Sequence, residues 1–348
     1  MRVHDELHRR LFKEVLEIPD QVALVIIAQR QRLRLRIVGH AAQVTGHVER
    51  PGAAQDLFGG HPAVAPEARS KSRPWGLDRD RRAGDSRAMA LDTDIALALR
   101  LADAAGAAIR PHFRTALTAE RKGDASPVTV ADRAAEEAMR RILVAEAPRD
   151  GIAGEEFGYS EGATGRQWVL DPIDGTTGFL AGRPLFGTLI ALTVDGWPVL
   201  GVIDQPILGE RWLGAAGRPT TLNGTEVRTR PCRELAEAAL ATTGPHYFDD
   251  HDGGHFMALA ARTDHKRMVM GGDCYNYAML ASGHLDLVCE AGLKLHDWAA
   301  LVPVIEGAGG MVCDWAGEPL GPGATGHVLA LGDPARLEDV VEALACAH

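Results

Sequence analysis

The chain has 348 residues, 46% of them hydrophobic and 24% charged, with a formal net charge of −10. That is ordinary globular composition, long enough for two lobes and a large core, with no internal repeat or low-complexity tract. No apolar run approaches the roughly 18 residues of a membrane-spanning helix, the start MRVHDELHRR lacks the apolar core of a secretory signal, and no membrane partner is expected.

Five cysteines, Cys232, Cys274, Cys289, Cys313 and Cys346, are scattered without a Cys-x-x-Cys pair. Their spacing argues against a disulfide framework or a cysteine zinc site and for a reducing cytoplasm. The charge is uneven: residues 1–88 carry 16 Lys and Arg against 11 Asp and Glu, the rest 21 against 36. A basic arm could serve a non-catalytic nucleic-acid-binding protein. Trp75, however, is the sole aromatic residue within the arginine clusters at 28–36 and 69–87, too little for a stacking platform, so no nucleic-acid partner is expected. Residues 1–88 are expected to form a poorly ordered extension that need not belong to the native enzyme, which would begin near Met89.

From Asp94 onward Ile95, Leu99, Ala102, Ile109 and Phe113 fall at helical spacing, with Thr93 or Asp94 available as cap. A loop containing Lys122, Gly123, Asp124 and Pro127 precedes a second helix that opens at Asp132 and turns Ala135, Met139, Ile142 and Leu143 inward. Residues 151–165 are glycine-rich and acidic and include Gly154-Glu155-Glu156. Strands are expected at 168–170, 188–194, 198–204 and 211–215, with Asp195-Gly196 as a hairpin turn. A lobe boundary near 217–224 divides an N-terminal lobe, 89–220, from a C-terminal lobe, 221–348. In the second lobe the pattern predicts a helix around 233–241, a strand near 267–270, a helix over 274–282, a strand over 285–290 and an apolar helix over 298–308. Such mixed strands and helices without strict alternation indicate an α+β or layered α/β fold.

Residues 168–180, WVLDPIDGTTGFL, carry the clearest chemistry. An apolar strand ends in Asp171 and Asp174 across a stiffening Pro172, and Gly175 and Thr176 follow. Carboxylates followed by a Gly-Thr turn can hold divalent cations beside a phosphate, because glycine lets backbone amides approach an anion. Asp132, Glu155 and Asp297 also stand at element ends or in turns. Hard oxygen ligands of this kind suit Mg²⁺. Each also has a plain structural role open to it. Asp132, Asp273 and Asp297 could cap helices, Glu155 could be a solvated loop residue and Asp171 a turn residue. His296 is taken as structural, since nothing adjacent in the sequence orients it.

Asp171-Pro172-Ile173-Asp174-Gly175-Thr176, with Gly154-Glu155-Glu156 upstream and His296-Asp297-Trp298-Ala299-Ala300 downstream, resembles the inositol monophosphatase family over roughly 91–335. The resemblance implies a layered α-β-α-β-α sandwich, a homodimer, and a phosphomonoesterase that uses two or three Mg²⁺ and metal-activated water. By position it implies Glu155, Asp171, the Ile173 carbonyl, Asp174 and Asp297 as metal ligands. Glu155, Thr176 and Asp132 would be catalytic, and Asp174, Gly175, Thr176 and Asp297 would contact the phosphate. Within the family the chain is most similar to histidinol-phosphate phosphatases, through stretches such as Gly201-Val202-Ile203-Asp204-Gln205-Pro206 and Gly272-Asp273-Cys274-Tyr275. Gly178 departs from the family, where asparagine is frequent. Asp273 and Glu290 would line the substrate side, where two carboxylates favour a cationic leaving group. Inositol phosphate, or another small phosphate monoester, is the alternative substrate.

Overall fold

The computed structural model describes residues 81–116, 120–121 and 127–345; the expectations for residues 1–80 and 122–126 lie outside these. Helix α1 (Arg81–Ile109) runs through Met89 and past the expected cap. Asp94 instead sits inside the helix and pairs with Arg166 at 2.6 Å, a tertiary contact that local spacing does not reveal. A short ribbon, β1 (Glu120–Arg121) and β2 (Pro127–Val128), leads into α2 (Val130–Glu146). Thr129 is its cap and Asp132 its third helical residue; the Thr129 hydroxyl accepts from the Ala131 amide while Asp132 accepts from the Thr129 amide, a reciprocal closure of the first turn.

Next come β3 (Gly151–Gly154), β4 (Gly158–Ser160), β5 (Arg166–Asp174), α3 (Thr176–Leu180), β6 (Gly187–Val194), β7 (Trp197–Gln205), β8 (Glu210–Ala215), β9 (Thr221–Leu222) and β10 (Thr225–Glu226). They form an eight-stranded sheet in the order β10-β9-β8-β7-β6-β5-β3-β4. Asp195 and Gly196, at φ 50° and 82°, make the expected tight turn between β6 and β7.

The remaining elements are β11 (Leu240–Thr242), α4 (Asp250–Arg262), β12 (Val269–Met270), α5 (Cys274–Ala281), β13 (Leu287–Glu290), α6 (Leu295–Trp298), α7 (Leu301–Gly307), β14 (Met311–Cys313), β15 (Val328–Leu331) and α8 (Leu337–Ala345). Five of them form a second sheet, β12-β11-β13-β15-β14. Two expectations are corrected here. The segment 233–241 holds only a short 3₁₀ turn, Leu235–Glu237, before β11. Its small residues Ala239 and Ala241 pack to one side and Leu240 to the other, a period of two that its alanine-rich composition conceals. The single helix expected over 298–308 is two short ones, α6 and α7.

The layers follow from alternation. Trp168, Leu170, Ile190, Leu192, Leu200 and Val202 pack under α1 and α2. Their neighbours Val169, Leu189, Ala191 and Ile203 pack on the opposite face of the large sheet, against α5 and α7. In the small sheet Val288, Val328 and Ala330 join that same middle layer. Leu287, Cys289, Leu329 and Leu331 face away from it, under Phe256 and Leu259 of α4 and Val340 and Leu344 of α8. The result is the α-β-α-β-α sandwich, whose central helices serve both sheets. Gly201 and Gly214 permit the close fit: a Cβ at either would collide with the backbone of Ala300 or Pro303 at α7. Among the described residues, no helix is long and apolar enough to cross a membrane.

Candidate active site

In a regular strand, residues three apart point to opposite faces. Asp171 and Asp174 escape this because β5 bulges between them. Asp171 pairs with Leu189 and Asp174 with Gly187, so three steps on β5 oppose two on β6. The extra residue falls at Pro172-Ile173, where proline offers no amide to the ladder. The Ile173 amide turns back to donate to Asp171 Oδ1 at 3.1 Å. Both carboxylates thereby reach one side, and one oxygen each of Asp171, Asp174 and Asp297 lie within 4.8 Å of one another. Asp297 arrives from α6, where its Oδ2 also accepts from the Lys294 amide at 2.6 Å. Asp174 Oδ2 accepts from the Cys274 amide at 2.6 Å and so closes the start of α5, 100 residues away in sequence.

Glu155 follows β3, which runs parallel to β5, and its amide donates to the Leu170 carbonyl at 3.1 Å. One ligand atom each of Glu155, Asp171 and His296 lie within 4.8 Å of one another. His296, read from the sequence as structural, has its imidazole among the carboxylates, with Nε2 at 3.5 Å from Asp297 Oδ1.

Beyond α3's start, the Thr176 hydroxyl donates to the Ile173 carbonyl at 3.1 Å and lies 3.5 Å from Asp132 Oδ1. The other oxygen of Asp132 is occupied by the Thr129 amide and hydroxyl, at 2.8 and 2.6 Å, leaving Oδ1 directed at Thr176. Gly175 has φ +88°, and a Cβ there would stand 3.0 Å from the Asp273 carboxylate. Only glycine meets both demands at low cost.

Asp273 is itself at φ +46°, a conformation costing about 1–3 kcal/mol for a non-glycine residue. Its side chain makes no cap hydrogen bond to α5; Asp174 supplies that acceptor. The helix-cap role is therefore excluded for Asp273. Glu290 is 6% exposed, and both its oxygens are engaged. Oε1 takes the Thr243 amide and hydroxyl at 2.8 and 2.6 Å, and Oε2 takes the Tyr277 hydroxyl at 3.1 Å. Two residues not singled out in the sequence also belong to this wall. Tyr247 feels the charges of Asp273, Asp174 and Glu290 and hydrogen-bonds Thr177, and Arg183 offsets the charge of Asp273. Neither lies in a motif with a chemical signature.

Burial, then the neighbours Glu155, Asp174 and Asp297, push Asp171 well above the usual carboxylate range. Burial, then Asp273 and Asp297, do the same to Asp174. Burial raises Asp297 and Asp132 too, takes Asp273 to about 6 and Glu290 to about 7. A cluster of buried like charges that resists ionisation is what a bound dication would relieve, and the carboxylate oxygens of Glu155, Asp171, Asp174 and Asp297 fit a hard ion. These groups hold protons more tightly folded than unfolded. Their stabilisation is fully present below the unfolded carboxylate value of about 4 and is lost as pH rises through the folded values. The thermal midpoint of the metal-free protein should therefore fall between about pH 5 and pH 8. Added Mg²⁺ should raise it most at the upper end. A metal-free midpoint that is flat or rising over that window, followed by dye-based melting, would contradict this account of the cluster.

A profile of the inositol monophosphatase family matches residues 90–347. The bifunctional phosphatase IMPL2 of the Arabidopsis thaliana chloroplast is 50% identical over 230 residues, 66% of each chain. A histidinol-phosphatase of Chlorobaculum parvum is 38% identical over 225 residues, 64% of this chain and 86% of the relative. An inositol monophosphatase from Zymomonas mobilis has a solved structure that is 51% identical, with a TM-score of 0.68, covering 73% of this chain and 98% of the other. Fold and site together define a phosphoric monoester hydrolase. The chain belongs to the inositol monophosphatase family, whose members are metal-dependent and act on small phosphorylated substrates.

Proposed function

We propose that the protein is a Mg²⁺-dependent phosphomonoesterase that hydrolyses L-histidinol phosphate to L-histidinol and phosphate, a step of histidine biosynthesis. The observation that carries the choice of substrate is Asp273, held at φ +46° with its carboxylate against Gly175. A carboxylate there, beside the phosphate turn, suits a leaving group that bears an ammonium and an imidazole. Glu290, its oxygens already engaged, would act at longer range. The name of the Chlorobaculum relative supports the same reading.

Glu155, Asp171, Asp174, Asp297 and the Ile173 carbonyl would hold two or three Mg²⁺. When bound, such ions neutralise phosphate charge and make water a better nucleophile near neutral pH. The chain's own residues do the rest. Backbone amides of Gly175 and Thr176 face the phosphate. Glu155 and the Thr176 hydroxyl orient the attacking water, whose proton passes to that hydroxyl as the hydroxyl turns its own hydrogen from the Ile173 carbonyl to Asp132 Oδ1. Attack on phosphorus is in line and forms no phosphoenzyme: the bond from phosphorus to the ester oxygen breaks as the water oxygen bonds, and the leaving oxygen takes a proton from solvent, so positioning and charge neutralisation supply most of the rate. The reading carries with it a cytoplasmic homodimer whose catalytic unit comprises the lobes 89–220 and 221–348.

Inositol 1-phosphate is the second reading, favoured by the 51% identity to the Zymomonas inositol monophosphatase. Phosphate release should show kcat/KM for histidinol phosphate about 100-fold or more above that for inositol 1-phosphate, with Asp273→Asn narrowing the ratio. Equal or better turnover of inositol 1-phosphate would reject the histidinol assignment and leave the hydrolase class intact.

A further inference from the structure

We infer that α4 carries a separate site for a divalent transition ion of the zinc class, built on His251 and His255. The two residues are four apart on one helix, which stacks their side chains on one face. Their Nε2 atoms lie 3.3 Å from each other, with ring centroids 4.5 Å apart.

What the opposite ring nitrogens do decides the chemistry. His255 Nδ1 is in close contact with the Leu344 carbonyl of α8, an acceptor only, so that nitrogen carries the proton. His251 Nδ1 faces Asp252 Oδ1 at 3.5 Å, again an acceptor, and Asp252 is in turn held by His327 Nε2 at 3.0 Å. With the ring proton of each on Nδ1, both Nε2 lone pairs meet at the same point, where a metal ion can bridge them. Zinc–nitrogen bonds of about 2.0–2.1 Å at a tetrahedral angle place two ligand nitrogens about 3.3–3.4 Å apart. The carbonyl and carboxylate behind the rings are the partners that fix tautomer and orientation in metal-bound histidines.

Water can complete the shell, and Asp249 and Asp252, which form a 4.8 Å group with His251, add negative charge beside the pair. Imidazole donors select zinc, nickel or copper over Mg²⁺, so this site and the carboxylate cluster share neither residues nor metal preference.

The test is calorimetric titration of Zn²⁺ into the untagged full chain with Mg²⁺ saturating, with zinc-edge anomalous scattering to locate the ion. The proposal expects a zinc-binding event that is lost in His251→Ala and in His255→Ala. His251 has a side chain 79% exposed, so its removal should spare the fold, and Mg²⁺-supported phosphate release should be unchanged in that variant. Identical zinc stoichiometry and affinity in wild type and His251→Ala would overturn the proposal. So would zinc found solely among Asp171, Asp174 and Asp297, or a His251–His255 pair that binds protons and no metal.

Discussion

Asp174→Asn should cut phosphate release by about two to three orders of magnitude and, at the same time, raise the melting temperature of the metal-free protein. The two effects share one origin. Asp174 is buried against Asp273 and Asp297, so its charge is disfavoured unless a cation is present. An amide removes that repulsion and also removes a ligand. The fold should survive, because an asparagine oxygen can still accept from the Cys274 amide as Asp174 Oδ2 does at 2.6 Å. Phosphate-release assays and melting curves with and without Mg²⁺ check both halves. Near-normal turnover would remove Asp174 from the ion-binding set, and an unchanged or lower metal-free melting temperature would refute the repulsion.

Thr176→Val should lower kcat by about 100- to 1,000-fold while leaving Mg²⁺ affinity and KM close to wild type. The substitution keeps shape and removes the hydroxyl that sits between the Ile173 carbonyl at 3.1 Å and Asp132 Oδ1 at 3.5 Å. Thr176→Ser should recover most of the rate, since the hydroxyl is restored. A loss confined to KM, or no rescue by serine, would show that the hydroxyl acts in binding or packing instead of handling the water's proton.

Much of this site is legible in the sequence. The Asp171–Thr176 hexapeptide is local, and an apolar strand running into it carries its own signal. Four strands of the large sheet, β5 to β8, and the Asp195-Gly196 turn followed from alternation and turn chemistry in the same way. What escaped was whatever depends on distant partners. His296 looked unsupported because Glu155 and Asp171 reach it only through the fold. For Asp273 the sequence left a helix cap open beside the substrate-side role, because the true acceptor, Asp174, lies 100 residues earlier. Helix α4 was missed since Gly253 and Gly254 weaken its first turns, although Phe256, Leu259 and Ala260 bury one face.

The bulge in β5 has a bearing on how relatives are compared. The shared direction of Asp171 and Asp174, three apart, depends on the bulge between them. A sequence that kept both acids at that spacing but replaced Pro172 with a residue able to continue the regular ladder would send one carboxylate into the opposite layer. The two aspartates alone would then misreport a lost reaction, so the bulge-forming Pro172-Ile173 step is a stricter criterion of kinship in chemistry than the aspartates themselves.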